Sequence, residues 1–295
     1  MPPNLDNFAK HTPVTATVIH LSSALGAEIV GVDLAEPLDP ATIATIRAAL
    51  WDNLVLLFRG QRFSAEDQLR FAECLGPVAR RKYPDGYKAP KTSNVTPGIA
   101  YVSNVRDENG VAVGIIPDGE MWFHHDTCYK REPDRCTMLF AMEVPKAGGH
   151  TLWANMAKAW ETLPTTLQQA LEGRKALNVY EYAVNGRPDL TRLDRVEHAW
   201  HPAVVPHPET GRKALFVNRL MTCLLEGMNE DDSRAILEPV FDHAEQPAFV
   251  YEHAWRPGDF IVWDNLSCTH ARTHFSLGDH RVLRRCKVSG TPLAA

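Results

Sequence analysis

The chain has 295 residues, of which 44% are hydrophobic, and a formal net charge of −5 at pH 7. This length and hydrophobic content suit one large globular domain with a sizeable core. The negative charge argues against a nucleic-acid partner, and no apolar run approaches the roughly 20 residues of a membrane-spanning helix.

The cellular compartment is indicated by the N-terminal residues and by the cysteines. Residues 1–6 lack the basic and apolar regions of a secretory signal peptide. The six cysteines are scattered without Cys-x-x-Cys spacing, which favours reduced thiols over disulfides in a chain of this size. We therefore expect a cytoplasmic protein.

The first third of the chain alternates β-rich segments with helices. Strands are predicted at residues 14–21, 28–32 and 54–58. One helix is predicted to begin at the N-cap Asp39, because Pro40 suits the first helical position. A second is predicted to begin at Ser64, with Asp67 completing a capping pattern, and to end at Gly76.

From residue 77 to about 99 the periodic patterns stop, and basic residues mix with tyrosines and prolines. Long irregular segments inside a compact domain are uncommon unless they are functional, as in active-site lids. We therefore predict a lid-like insertion over about 77–122. A solvated surface loop explains any single lysine in it equally well.

The rest of the chain is rich in short strands. They are predicted at residues 100–105, 137–144, from 151, 203–205, 214–217, 248–253, 260–263 and 282–288. The strands at 203–205 and 214–217 are predicted to form a hairpin. Helices are predicted after Asn155, at Pro164 and from Asn229, the last kinked or split by Pro239. Residues 174–200 carry no clear pattern. A single domain over residues 1–295, mainly β with flanking helices, fits a double-stranded β-helix, the cupin-like jelly-roll.

A short polar stretch offers two candidate metal ligands. In an extended segment side chains alternate faces, so His124 and Asp126 would point one way and His125 the other. One histidine and one carboxylate are two parts of the 2-His-1-carboxylate triad, which binds Fe(II) and leaves open positions. The His-x-Asp spacing alone is a weak signal, because many surface loops contain it.

The C-terminal region strengthens this interpretation. Residues 258–265 end in Trp-Asp-Asn, His270 follows, and then come Arg281, Arg284 and Arg285. A histidine followed by arginines is what a 2-oxoglutarate site needs, because this cosubstrate chelates iron at one end and carries a free carboxylate at the other. The planar fork of arginine binds such a carboxylate in bidentate fashion.

With these residues the chain resembles the TauD/TfdA family of Fe(II)- and 2-oxoglutarate-dependent dioxygenases. The resemblance extends from about residue 26 to residue 290 and rests on the combination of His-x-Asp, Gly-Gly-x-Thr, Trp-Asp-Asn-x4-His and the trailing arginines. It implies a jelly-roll fold and the use of Fe(II), 2-oxoglutarate and O2. Its iron ligands would be His124, Asp126 and His270.

The resemblance also implies roles for other residues. Thr151 and Arg281 match the residues that hold the distal carboxylate of 2-oxoglutarate, and Arg285 matches the arginine that binds the acidic group of the substrate. Thr127 would offer its backbone N–H to the substrate. Glu120 stands where the taurine enzymes of the family have asparagine, and it could pair with an amino group if it faces the pocket.

The sequence departs from the family pattern near the first ligand. Phe123 replaces the usual tryptophan, the Gly-Gly-Asp-Thr segment reads Gly-Gly-His-Thr, and residues 80–121 lack the histidine of the taurine enzymes. The substrate therefore stays open among small organic acids: a sulfonate, a sulfate ester, or an aryloxy or alkyl carboxylate. Hydroxylation of this acid would be coupled to the conversion of 2-oxoglutarate to succinate and CO2.

Two other functions remain as alternatives. A cupin-like protein that binds a metal and a small acid without turnover would need the triad but not the 2-oxoglutarate residues, so Thr151 and Arg281 argue against it. A zinc hydrolase gives no reason for the paired arginines. We also expect a homo-oligomer, either a dimer or a tetramer, and we expect His125, Tyr129 and Arg284 to pack away from the metal.

Overall fold

The computed structural model describes residues 16–80, 96–106, 108–110, 114, 119–180, 190–276 and 278–294. The strands within these ranges are β1 (Thr17–His20), β2 (Ala27–Val30), β3 (Val55–Phe58), β4 (Ile99–Ser103), β5 (Met121–His124), β6 (Cys136–Glu143), β7 (Thr151–Asn155), β8 (Lys175–Val179), β9 (His198–Pro202), β10 (Val204–Pro206), β11 (Lys213–Leu215), β12 (Thr222–Leu225), β13 (Val250–His253), β14 (Phe260–Asp264), β15 (Cys268–Arg272) and β16 (Val282–Val288). The α-helices are α1 (Pro40–Asn53), α2 (Ala65–Leu75), α3 (Met156–Thr162), α4 (Thr165–Leu171) and α5 (Glu230–Ala244). Short 3-10 helices lie at Leu190–Arg195 and Pro247–Phe249.

Two sheets form the centre of the fold. A seven-stranded sheet has the order β1-β2-β3-β14-β6-β16-β4, and a four-stranded sheet has the order β13-β7-β15-β5. Trp153 and Cys268 from the smaller sheet pack with Leu139, Trp263 and Leu283 from the larger sheet in one buried cluster. Two sheets packed face to face are the jelly-roll arrangement, so the mainly β prediction is confirmed.

Helices cover the other face of the seven-stranded sheet. Ile46 and Leu50 of α1 and Phe71 of α2 pack on Phe260 and other side chains of the sheet. Both helices begin where the sequence predicts. Asp39 accepts hydrogen bonds from the first-turn amides of α1, and the Ser64 and Asp67 pair forms a complete capping box in α2.

A third sheet, β12-β8-β9, was not predicted, whereas the β10–β11 hairpin was. Only His201 of strand β9 is buried, and the strand lacks the alternation of apolar and polar residues that identifies a half-buried strand. It is stabilised by antiparallel pairing with β8, which the sequence pattern does not show.

Pro239 does not split the last helix, because α5 runs without a break from Glu230 to Ala244, whereas a kink at this residue stays a prediction. Pro239 and Ala235, one turn earlier, both lie on the exposed face of the helix. Water can therefore satisfy the carbonyl that loses its hydrogen bond at a proline.

Some predictions fall outside the described residues. These include the start of the first predicted strand and residues 81–95, which are part of the lid-like insertion predicted over about 77–122. Over the part of the chain that the structure covers, no helix is both long enough and apolar enough to cross a bilayer.

Candidate active site

The three predicted ligands converge at the end of the smaller sheet. His124 on β5 and His270 on β15 are register partners, and their ring centroids lie 4.1 Å apart. Asp126 lies in the turn that follows β5 rather than in a strand, and Thr127 next to it has a positive φ of 54°. Potential ligand atoms of His124, Asp126 and His270 all lie within 4.8 Å of one another.

The two histidines have the form that metal binding requires. Nδ1 of His124 lies 2.8 Å from the carbonyl oxygen of Trp122, so it donates its proton there and leaves Nε2 as a possible ligand. Burial lowers the pKa of His124 and lowers the pKa of His270 well below its ordinary value. Both imidazoles are therefore neutral near pH 7 and have a lone pair available.

The carboxylate of Asp126 is held by residues from two other parts of the chain. Thr137 of β6 donates a hydrogen bond to its Oδ2 at 2.6 Å, and Nζ of Lys287 on β16 lies 3.3 Å from its Oδ1. Burial raises the pKa of this carboxyl, but the charge of Lys287 and the other nearby positive groups outweigh burial and lower it overall. Asp126 is therefore ionised.

The main chain of Asp126 is fixed by Asn265. The side chain of Asn265 accepts a hydrogen bond from the Asp126 N–H at 2.7 Å and donates one to the Asp126 carbonyl at 2.8 Å. Sequence reasoning noted the Trp-Asp-Asn segment but did not assign this role to Asn265, nor did it identify Thr137 or Lys287. For Lys287 the sequence did contain a signal: it follows Arg285 by two residues on one strand, so the two side chains lie on the same face of the sheet.

A cavity with an empty volume of about 460 Å³, including space open to solvent, joins the predicted residues. Its lining includes His124, Asp126, Thr151, His270, Arg281 and Arg285. Arg272, which the sequence reasoning missed, also lines it, together with the apolar side chains of Val102, Met121 and Leu139.

Arg281 and Thr151 lie together in this cavity. Nη2 of Arg281 lies 3.4 Å from Oγ1 of Thr151, and Nε donates to the carbonyl of Gly149 at 3.1 Å. Burial, aided by the charge of Arg272, lowers the pKa of Arg281 to about 9, so its guanidinium still carries a charge near pH 7. Gly149 has a φ of 64°, and a Cβ there would lie 2.8 Å from Pro145 and 3.3 Å from Arg281, so a side chain would crowd this arginine.

Arg285 and Arg284 point in opposite directions, as alternation along β16 predicts. Arg285 lines the cavity, and its Nε is buried without a hydrogen-bond partner among the described residues. Arg284 instead donates to Oε1 of Gln68 on α2 at 2.7 Å and to the carbonyl of Phe63 at 2.9 Å.

Two of the predicted substrate residues do not line this cavity. Oγ1 of Thr127 donates to Oδ2 of Asp134 at 2.9 Å and accepts from the Asp134 N–H at 2.8 Å. Glu120 is exposed to solvent. Their roles in substrate binding stay predictions.

His125 and Tyr129 are packing residues in the structure. The ring of His125 is fully buried, with its centroid 4.5 Å from that of Phe216, and burial lowers its pKa to about 3. Tyr129 is also buried and makes an edge contact with Tyr180. Neither residue lines the cavity.

The chain is similar to known proteins over nearly its whole length. The model of the family described as "Taurine catabolism dioxygenase TauD, TfdA family" matches residues 12–287. An alpha-ketoglutarate-dependent 2,4-dichlorophenoxyacetate dioxygenase from Cupriavidus pinatubonensis is 32% identical, over 92% of this chain and 96% of that protein. An alkylsulfatase from Acinetobacter baylyi is 30% identical, over 92% of this chain and 84% of that protein. The crystal structure of a taurine dioxygenase from Burkholderia xenovorans superposes with a TM-score of 0.78 at 28% identity, over 95% of this chain and 91% of that one.

Proposed function

The chain belongs to the TauD, TfdA family of dioxygenases, and on this premise we propose that it hydroxylates a small organic acid with Fe(II), 2-oxoglutarate and O2. The products would be the hydroxylated acid, succinate and CO2. One observation carries the proposal: the His-Asp-His group and a buried arginine–threonine pair line the same cavity.

The donor atoms of the first group fit Fe(II). Two neutral imidazoles and one ionised carboxylate are the facial triad of non-heme iron oxygenases, which leaves positions open for other ligands. We propose that His124, Asp126 and His270 are these ligands. Iron bound there would supply the activation of O2.

The second group fits the far end of 2-oxoglutarate. In our proposal the charged guanidinium of Arg281 and the hydroxyl of Thr151 bind the distal carboxylate of the cosubstrate. Trp255 donates from Nε1 to Oγ1 of Thr151 at 2.9 Å, which fixes the orientation of that hydroxyl. Such buried, charge-assisted contacts are strong and directional.

The substrate is proposed to be an acid because of Arg285. Its guanidinium lines the cavity, and a buried Nε without a partner among the described residues favours an anionic ligand that supplies the missing acceptor. The apolar side chains of Val102, Met121 and Leu139 favour a hydrocarbon or aromatic portion next to the acid group.

We further propose that residues 1–295 form a single domain, and the family match over residues 12–287 supports this. A cytoplasmic location is proposed on the basis of the cysteines, all six of which are free thiols in the structure. The homo-oligomer stays a prediction.

The function is tested by loading the purified chain with Fe(II) and 2-oxoglutarate and screening aryloxyacetates, alkyl sulfates and alkanesulfonates. Succinate formation and O2 consumption that depend on one of these acids are the expected result. His270→Ala is the control and should give neither. Metal binding without succinate from any acid would favour a binding protein instead.

A further inference from the structure

The residues that hold Asp126 form an arrangement that the family resemblance does not supply. Thr137 of β6 and Lys287 of β16 are direct register partners on neighbouring antiparallel strands. Side chains at such positions lie on the same face of a sheet, close to one another. Here both contact the carboxylate of Asp126, one at each oxygen.

The ammonium group of Lys287 is itself fixed in place. It lies 2.9 Å from Oδ2 of Asp134, and its side chain is only 14% exposed. Asp134 in turn forms two hydrogen bonds with the hydroxyl of Thr127, and the backbone carbonyl of Asp134 accepts a hydrogen bond from Asn265. Lys287 therefore does not move freely toward solvent, and it presents a positive charge to Asp126 from a rigid support.

The way in which Asp126 is held matters for a metal site. A carboxylate can bind a cation through one oxygen or through both. Binding through both would occupy one of the positions that a facial triad leaves open. In this chain each oxygen of the Asp126 carboxylate has its own partner, a hydroxyl on one and an ammonium on the other. When one oxygen binds the metal, the partner of the other oxygen competes with the metal for it. The ammonium also repels a divalent cation.

We propose that Thr137 and Lys287 are positioning residues that together restrict Asp126 to binding the metal through a single oxygen. The pair thereby keeps the remaining coordination positions open for the cosubstrate and O2. This inference rests on the proposed function only in requiring that His124, Asp126 and His270 bind a divalent cation.

The test counts the water molecules on Mn(II), used as a redox-stable probe, by water-proton relaxation in the absence of cosubstrate. About three exchangeable waters are expected in the wild type, because a six-coordinate ion has three protein ligands. The double variant Thr137→Val with Lys287→Met should lose one water. Its Mn(II) affinity should rise roughly tenfold, because a second carboxylate oxygen is available and one positive charge is gone.

Conservative variants separate positioning from a general structural role. Thr137→Ser and Lys287→Arg keep a hydroxyl and a cation, so they should retain the wild-type water number and Mn(II) affinity. The dissociation constant of 2-oxoglutarate from the Mn(II)-loaded double variant should rise about tenfold, since chelation then competes with the second oxygen. If the double variant does not fold, the two single variants are measured in the same way, and at least one must lose a water.

The possible failures are distinguishable. A wild-type chain that binds no Mn(II) would overturn the proposed function itself. A wild type with about three waters and a folded double variant with the same water number and the same affinity would overturn only the role of Thr137 and Lys287.

Discussion

Asn265 and Asp126 are joined by two hydrogen bonds, 2.7 and 2.8 Å long, between the amide side chain of Asn265 and the main chain of Asp126. The same side chain also donates to the carbonyl of Asp134 at 2.7 Å. One amide therefore closes the turn that carries the candidate carboxylate ligand, and this turn is not part of any strand.

We expect Asn265→Ala to lower both stability and metal affinity. It leaves buried backbone groups of Asp126 and Asp134 without partners, which should cost about 1–3 kcal/mol of unfolding free energy for each group. Loss of such support typically lowers metal affinity by about 10–100-fold. Urea unfolding and Mn(II) titration measure the two effects.

Asn229→Ala is the matched control for this variant. Asn229 caps the N-terminus of α5 and does not line the cavity. Its loss should cost about 1 kcal/mol of stability without changing metal affinity. An Asn265→Ala protein with the same metal affinity as this control would contradict the role assigned to Asn265.

The metal ligands are tested one at a time. His124→Ala, Asp126→Ala and His270→Ala should each abolish Fe(II)-dependent 2-oxoglutarate turnover, because two remaining ligands hold Fe(II) too weakly. His125→Ala should keep metal binding largely intact, because its ring packs on Phe216 outside the cavity. Loss of iron from the His125 variant with retention in the His124 variant would reverse the assignment.

The two cavity arginines should have separable effects. Truncating one partner of a buried, charge-assisted contact costs roughly 2–5 kcal/mol of binding free energy, which lowers the affinity about 30-fold or more. Arg281→Ala should therefore raise the apparent constant for 2-oxoglutarate with any substrate. Arg285→Ala should lower the affinity for the organic acid and leave the uncoupled decarboxylation of 2-oxoglutarate in place.

Each arginine variant would be titrated with both ligands, and Arg284→Ala serves as the control because Arg284 contacts α2 rather than the cavity. The assignment fails if Arg285→Ala loses 2-oxoglutarate binding while affinity for the acid stays the same. The argument for an acidic substrate would fail with it.

His125 should make the fold sensitive to acid. Burial lowers its pKa to about 3 in the folded chain, whereas an unfolded chain takes up the proton near the ordinary value of 6.5. The unfolded state therefore binds more protons below pH 6.5, and stability should fall as the pH drops from 6.5 toward 3. The contribution of this residue is about 1.4 kcal/mol per pH unit in that range.

Urea unfolding at pH 7.5 and pH 5.5 checks this effect. His125→Leu should show a smaller loss of stability between the two values, and it should be more stable at pH 5.5 because it removes two buried ring nitrogens without partners among the described residues. His198→Leu, at an exposed position, is the control. Equal pH dependence in the wild type and the His125 variant would refute the prediction.

Local signals in the sequence determined the parts of this protein that depend on neighbouring residues. The helix caps at Asp39 and Ser64, the β10–β11 hairpin and the opposite directions of Arg284 and Arg285 all follow from turn chemistry or from the two-residue period of a strand. The combination of motifs around His124 and His270 likewise indicated the family, because it appears in the sequence itself.

The tertiary structure alone decided how the carboxylate of Asp126 is held. Thr137 and Lys287 are 150 residues apart in sequence, and their pairing depends on the register between β6 and β16. The turn at Asp126 likewise depends on Asn265, which is 139 residues away. Sequence periodicity specifies which face a side chain takes within its own strand. It does not specify which strand will lie opposite, because that choice is made by packing of the whole core.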